Sequence, residues 1–176
     1  MQESKNDFVS PSKGKLHFNQ VVDDLIAFIN ADPSSQYTVI VGTDSEQSRQ
    51  LAEFVSVVLV HRVGKFGRYF WQRDQAKVFD RHDRILKEAY RSLELAQRIV
   101  DALRERLSER LYDFEIHLDI GQNGPTKTMI QEIVGLIVGN GFKAKIKPDS
   151  YAANKVADKH VRPVRFGVNS KKIAVA

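Results

Sequence analysis

The chain contains no cysteine among its 176 residues. Disulfide scaffolds, thiol nucleophiles, cysteine-ligated zinc and iron–sulfur clusters are therefore excluded. The longest apolar runs, at 54–60 and 133–138, are far shorter than the roughly 20 residues that cross a bilayer. The first residues carry no apolar signal core, so we expect a soluble cytoplasmic protein without a membrane partner.

Several motifs are also missing. Neither G-x-G-x-x-G nor G-x-x-x-x-G-K-[S/T] occurs, which excludes the usual dinucleotide and P-loop sites. There is no G-x-S-x-G and no H-E-x-x-H, and the five histidines are scattered. Any chemistry must therefore come from residues that are distant in the sequence.

Composition and charge indicate one globular domain with a basic end. Hydrophobic residues make up 42% and charged residues 28%, which are ordinary values for a folded domain. Residues 141–176 hold nine Lys/Arg and two acids, a net charge of +7, whereas the other 140 residues carry −2. Such a patch attracts polyanions, so nucleic acid is the first partner to consider. A solubilising tail is the alternative.

Apolar periodicity and turn residues predict a helix, three strands, a long helix, and then alternating strands and helices. We expect a lead-in over 1–14, a domain over 15–160 and a basic tail over 161–176. The predicted helices are 19–30, 83–111, 127–139 and 151–160, and the predicted strands are 37–41, 53–63, 68–72, 114–120 and 142–146. This order predicts a five-stranded mixed α/β sheet, with three antiparallel strands first, parallel additions after them and helices on both faces.

Two acids occupy matching places in this order. Asp44 follows the first predicted strand and Asp119 lies near the end of the fourth. A carboxylate in an apolar strand is costly to bury unless something pairs with it, and Mg²⁺ takes carboxylate oxygens. Each Asp alone is typical of a turn. The pair, on strands that would be neighbours, favours metal binding.

Two further acids are candidates on helices. Glu88 lies on the shoulder of the apolar stripe of the long helix, so it faces either solvent or a cleft at the sheet edge. Asp158 lies on a polar face of the last helix, which faces either the same cleft or water. Asp149, in the loop after Pro148, is a competitor for this fourth position.

The element order, with acids on the first and fourth strands, resembles the ribonuclease H-like fold. Three segments resemble more narrowly the YkuK family of small bacterial proteins predicted to be ribonuclease H-like nucleases. These segments are residues 41–45 (VGTDS), 117–126 (HLDIGQNGPT) and 147–153 (KPDSYAA). The resemblance covers about residues 15–160.

The resemblance implies an enzyme in which Asp44, Glu88, Asp119 and Asp158 are catalytic and bind Mg²⁺ or Mn²⁺. It implies hydrolysis of phosphodiester bonds by two metal ions about 4 Å apart. The substrate would be RNA, a DNA/RNA hybrid or a junction. Phosphate contacts are expected from Lys127, Lys155, Lys159 and Arg162.

Two other functions remain open from the sequence. One is a nucleic-acid-binding module without catalysis on the same fold, since a fold does not determine a function. The other is a nucleotide-binding or phosphotransfer protein, because actin-like ATPases share a related fold and also begin with a strand acid. Those proteins need two facing lobes, and this chain holds one such unit.

Overall fold

The computed structural model describes residues 7–161. The expected basic tail lies outside this part from Arg162 onward. None of the helices within it is long and apolar enough to cross a membrane. The elements in chain order are β1 (Phe8–Ser10), β2 (Gly14–Leu16), α1 (Phe18–Asn30), β3 (Tyr37–Ser48), β4 (Leu51–Arg62), β5 (Gly67–Lys77), α2 (Arg81–Arg104), β6 (Tyr112–Gly121), α3 (Ile130–Gly139), β7 (Lys143–Lys147) and α4 (Tyr151–His160).

A seven-stranded mixed sheet forms the centre of the fold, in the order β2-β1-β5-β4-β3-β6-β7. β3, β4 and β5 pair antiparallel as a meander, whereas β6 pairs parallel with β3 and β7 pairs parallel with β6. The predicted mixed sheet is therefore confirmed. The predicted number of five strands is wrong.

The first additional strand lies in the segment expected to be a lead-in, and the second begins at the last residue of that segment, Gly14. Phe8 pairs with Leu16 across a tight hairpin, and Val9 pairs with Trp71 of β5. Each strand is only three residues long, which is too short to show a period in the sequence. Residues 11–13 form the turn of this hairpin, and Gly14 has the positive φ of 71° that favours glycine. Residues 1–6 lie outside the described part.

The long helix is shorter than its apolar period predicts. α2 ends at Arg104 instead of continuing to residue 111. The N–H of Leu107 still donates to the carbonyl oxygen of Leu103 at 2.7 Å, and the Leu107 side chain is buried. The apolar period thus continues through a turn that packs on the same core, after the helix has ended.

The main hydrophobic core lies between one face of the sheet and helices α1, α2 and α3. Val39 and Val41 of β3 and Ile116, Leu118 and Ile120 of β6 all belong to it. Successive strand residues point to opposite faces. The residues between these apolar positions therefore point to the other face, which carries α4.

Helix α4 is held on that other face by contacts near its C-terminal end. Ala157 packs against two buried valines of β4. The His160 ring stacks on Trp71 of β5 with a centroid distance of 4.4 Å, and Arg73 Nη2 donates to the His160 carbonyl oxygen at 2.7 Å. These contacts bring α4 over the middle of the sheet, and helices thus cover both faces.

A buried carboxylate joins helix α1 to the β1–β2 hairpin and to β5. Asp24 is 6% exposed, and its Oδ1 accepts hydrogen bonds from Lys13 Nζ and Arg68 Nη1, each at 2.6 Å. Its neighbour Asp23 is exposed and pairs with Arg106. The two adjacent residues therefore make a matched comparison of a buried and an exposed ion pair.

We expect Asp24→Asn to lower the free energy of unfolding by about 1–3 kcal/mol, because two partly buried cations lose their shared charge partner. Asp23→Asn should cost less than about 1 kcal/mol, since exposed ion pairs contribute little. Urea denaturation of both variants measures the difference. Equal losses would show that the Asp24 pairs do not hold the hairpin to the domain.

Candidate active site

Two acidic residues lie at equal positions on the parallel neighbours β3 and β6. Gly42 pairs with His117, and Asp44 and Asp119 each follow two residues later. The neighbours of Asp44 in β3 hydrogen-bond to α2, and the neighbours of Asp119 in β6 belong to the main core, so both carboxylates point to the face that carries α4. The structure thus brings these two predicted residues together on one face.

Asp119 lies in an irregular stretch of β6. His117 pairs with Lys145 and Gly121 with Lys147, so β6 has three residues between these pairs where β7 has one. Such a bulge re-aims side chains and is common beside active sites. Here Lys147 Nζ lies 2.8 Å from Asp119 Oδ1.

Glu88 is buried rather than facing open solvent, with 8% of its surface exposed. Ser45 Oγ donates a hydrogen bond to Glu88 Oε1 at 2.5 Å, and the Ser45 N–H donates to Asp44 Oδ1 at 2.8 Å. Arg84 Nη1 donates to the Ser45 carbonyl oxygen at 3.1 Å. Ser45 therefore connects the carboxylate of β3 to the carboxylate of α2.

The environment favours the protonated form of both connected carboxyl groups. Burial raises the pKa of Asp44 to about 6, and the charges of Asp119 and Asp158 also raise it. The hydrogen bond from the Ser45 N–H and the charge of Arg84 act in the opposite direction. Burial likewise raises the pKa of Glu88 to about 8, and the charges of Asp44 and Asp119 contribute to this rise. The hydrogen bond from Ser45 and the charge of Arg84 lower the same pKa. Burial is thus the main reason that the charged forms of both groups are disfavoured, and the neighbouring acids add to it.

Two open cavities adjoin at this place. One, of about 290 Å³, is lined by Asp44, Asp119, Asp158 and Lys147, among others. The other, of about 250 Å³, is lined by Asp44, Asp119, Lys147 and Glu88, among others. The four predicted acids therefore surround two cavities that share the β3 and β6 carboxylates.

Of the three described basic residues that were predicted to contact phosphate, only Lys155 lines one of these cavities. Lys127 and Lys159 line neither, and Arg162 lies outside the described residues. Asp149, the alternative to Asp158, lines neither cavity. Of the two candidates for the fourth acid, Asp158 is therefore the one that lies at a cavity.

The sequence analysis missed several residues of this region. Arg81, Arg84 and Asn123 line the second cavity, and Lys147 lines both. Arg84 stands four residues before Glu88 and so shares its helix face, which is a signal that the sequence did contain. The place of Lys147 depends on the β6 bulge, for which the sequence holds no sign.

The carboxylate oxygens at this site suit a hard divalent cation, although the four side chains are too far apart to surround a single ion. Within residues 7–161, no three acidic or histidine side chains lie close enough together to hold a single ion. The carboxylate oxygens are the ligands that Mg²⁺ and Mn²⁺ prefer. Burial and the neighbouring acids disfavour the charged forms of Asp44 and Glu88, and a bound cation would offset both effects. The residues present therefore fit such an ion chemically.

Comparison with known proteins identifies the class. A profile described as Ribonuclease H-like matches residues 20–162, and the chain belongs to this family. It is similar to the uncharacterized protein YkuK of Bacillus subtilis (strain 168), with 34% identity over 169 residues, covering 88% of this chain and 96% of that protein. A search of solved structures gives no significant match.

We expect Glu88→Gln to remove much of the pH dependence of stability in metal-free protein. Burial raises the Glu88 pKa from 4.5 to about 8, so the folded state holds this proton more tightly than the unfolded state. Stability is therefore lost as the pH rises from about 4.5 to about 8. Gln stays neutral, so the variant should exceed the parent by on the order of 3 kcal/mol at pH 8 and differ little near pH 5. Urea denaturation in a chelator measures this.

Glu94→Gln is the matched control, because Glu94 is exposed on the same helix. This change should leave the pH dependence as it is in the parent chain. If the free energy of unfolding of Glu88→Gln fell between about pH 5 and 8 as steeply as that of the parent chain, Glu88 would not be the group that titrates.

Proposed function

We propose that this protein is a divalent-metal-dependent nuclease that hydrolyses phosphodiester bonds by a two-metal mechanism. The observation that carries the proposal is the position of Asp44 and Asp119, side by side on parallel central strands. Glu88 and Asp158 line the cavities on either side. Membership of the Ribonuclease H-like family supports an activity on nucleic acid.

In this proposal Asp44, Glu88, Asp119 and Asp158 hold Mg²⁺ or Mn²⁺. When bound, such ions supply an activated water and stabilise the leaving oxygen. Ser45 keeps the Asp44 and Glu88 carboxylates oriented through its two hydrogen bonds. Because these hydrogen bonds already restrict the two side chains, binding a cation would cost little further side-chain entropy.

RNA, or structured or hybrid nucleic acid, is the substrate class that we propose. The support is the net charge of +7 over residues 141–176, which would attract a phosphate backbone. Lys155 adds a cation at the wall of the cavity that Asp158 lines. Lys127, Lys159 and Arg162 would add contacts of the kind that strengthen binding without reading a base.

A nucleic-acid-binding module without catalysis is the second candidate. Two observations favour it: among the described residues no three acids are placed to hold one ion, and Lys147 already neutralises Asp119. This candidate predicts binding that weakens with salt, without turnover that depends on Mg²⁺.

Asp44→Asn and Asp119→Asn should each lower Mn²⁺-dependent cleavage of RNA and of DNA/RNA hybrids by about a hundredfold or more, because each removes a ligand charge. A chelator should abolish cleavage by the parent chain. Gel assays of labelled oligonucleotides with Mg²⁺ or Mn²⁺ measure this. The control is Asp113→Asn, an exposed acid on the same strand β6 that pairs with Lys143, and it should cleave normally.

If a chain that carries both Asp44→Asn and Asp119→Asn cleaved at the rate of the parent chain, neither residue would take part in the mechanism. Salt-sensitive binding of the same oligonucleotides, with no cleavage by the parent chain in either metal, would favour the binding module instead. The two candidates are therefore separated by one set of samples.

Lys155→Gln should weaken nucleic-acid binding more than Lys127→Gln, although both remove one positive charge. Lys155 lines the acidic cavity, whereas Lys127 lines neither cavity. We expect a loss of about three- to tenfold for Lys155→Gln and a smaller loss for Lys127→Gln, each with a shallower salt dependence. Fluorescence anisotropy at several salt concentrations measures both. Equal losses would indicate a diffuse electrostatic contact instead of a local one.

A further inference from the structure

Lys147 forms an ion pair with one of the two strand acids, from the β7 side of the site. It is the last residue of β7, and its Nζ lies 2.8 Å from Asp119 Oδ1. It lines both cavities, as do Asp44 and Asp119. Its ammonium therefore lies at the carboxylate that the proposed metal ions would also need.

The backbone around Lys147 allows this close approach. Gly121 of β6 pairs with Lys147, and a Cβ built at Gly121 would lie only 3.0 Å from the Lys147 Cβ. A side chain at 121 would require the Lys147 side chain to shift by a few tenths of an ångström. Glycine at this position thus brings the base of the Lys147 side chain beside the bulge that holds Asp119.

The ion pair between Lys147 and Asp119 is open to exchange. The Lys147 side chain is 57% exposed and the Asp119 side chain 33% exposed, and ion pairs of this exposure are weak. Lysine is also a point charge on a flexible four-carbon stem, so its ammonium moves without disturbing the strand. A partner with greater charge can therefore displace it.

We propose that Lys147 is a positioning residue that holds Asp119 in the metal-free protein, is displaced by the incoming divalent cation, and then binds the substrate phosphate. This inference rests on the proposed function. A cation and an ammonium at the same carboxylate repel each other, so the ammonium leaves Asp119 when a cation arrives. It remains at the wall of a cavity that Lys155 also lines, where a phosphate is attracted.

Lys147 therefore acts in opposite directions on the two ligands. It competes with the metal for Asp119 and so weakens metal binding. It also supplies positive charge to the substrate and so strengthens substrate binding. A lysine that only stabilised the sheet would have neither effect, and a lysine that only attracted nucleic acid would leave the affinity for metal unchanged.

The first test is calorimetric titration of the full chain with Mn²⁺ in the absence of nucleic acid. Lys147→Met should bind Mn²⁺ about three- to tenfold more tightly than the parent chain, because the competing charge is removed. Lys147→Arg keeps the charge and should bind Mn²⁺ like the parent chain. Lys143→Met is the matched control, since Lys143 makes an equivalent pair with Asp113 on the same two strands, and it should change nothing.

The second test separates KM from kcat at saturating Mn²⁺. Lys147→Met should raise the KM for an oligonucleotide about three- to tenfold, with a smaller change in kcat, whereas Lys143→Met, which removes the same charge outside both cavities, should raise the KM less and leave kcat unchanged. Thermal unfolding verifies that the variants are folded, as expected for a side chain that is more than half exposed.

The outcomes distinguish this inference from the proposed function. If neither the parent chain nor Lys147→Met binds Mn²⁺, the metal site and the role of Lys147 are both overturned. If all four proteins bind Mn²⁺ equally, or if Lys147→Met binds it more weakly, the role of Lys147 alone is overturned. Tighter Mn²⁺ binding with an unchanged KM would retain the competition and overturn the contact with phosphate.

Discussion

The parallel pairing of β3 with β6 is the constraint on which the site depends. It brings Asp44 and Asp119 to equal positions on one face of the sheet, although 75 positions of chain separate them. The opposite face of the same strands is filled by the main core. A shift of one residue in this register would turn one carboxylate into the core, where its charge would be very costly. The core thus holds the acids in place.

The remaining parts of the site come from both faces of the sheet. Glu88 arrives from α2 on the core side and reaches Asp44 through Ser45. Asp158 arrives from α4 on the other side, where the stacked ring of His160 on Trp71 anchors the helix. Two separate packing arrangements therefore meet where the parallel pairing of β3 and β6 ends, and together they bring the four acids to the same two cavities.

The charge balance connects the proposed activity with the proposed role of Lys147. Burial and neighbouring acids raise the pKa of Asp44 and of Glu88, so these groups gain from a cation. Asp119 instead has an ammonium of the chain itself at 2.8 Å. In the Ribonuclease H-like family to which this chain belongs, such a site is consistent with chemistry on nucleic acid.

Much of this protein was predictable from local patterns in its sequence. Apolar periodicity and turn residues indicated the mixed sheet and helices on both faces, and the acids at Asp44 and Asp119 were visible as polar residues in apolar strands, because both signals are carried by neighbouring residues. The burial of Glu88, the bulge that holds Asp119 and the approach of Lys147 were decided only by tertiary structure. Each of these depends on which strands pair and in what register, and that pairing is a property of residues far apart in the chain.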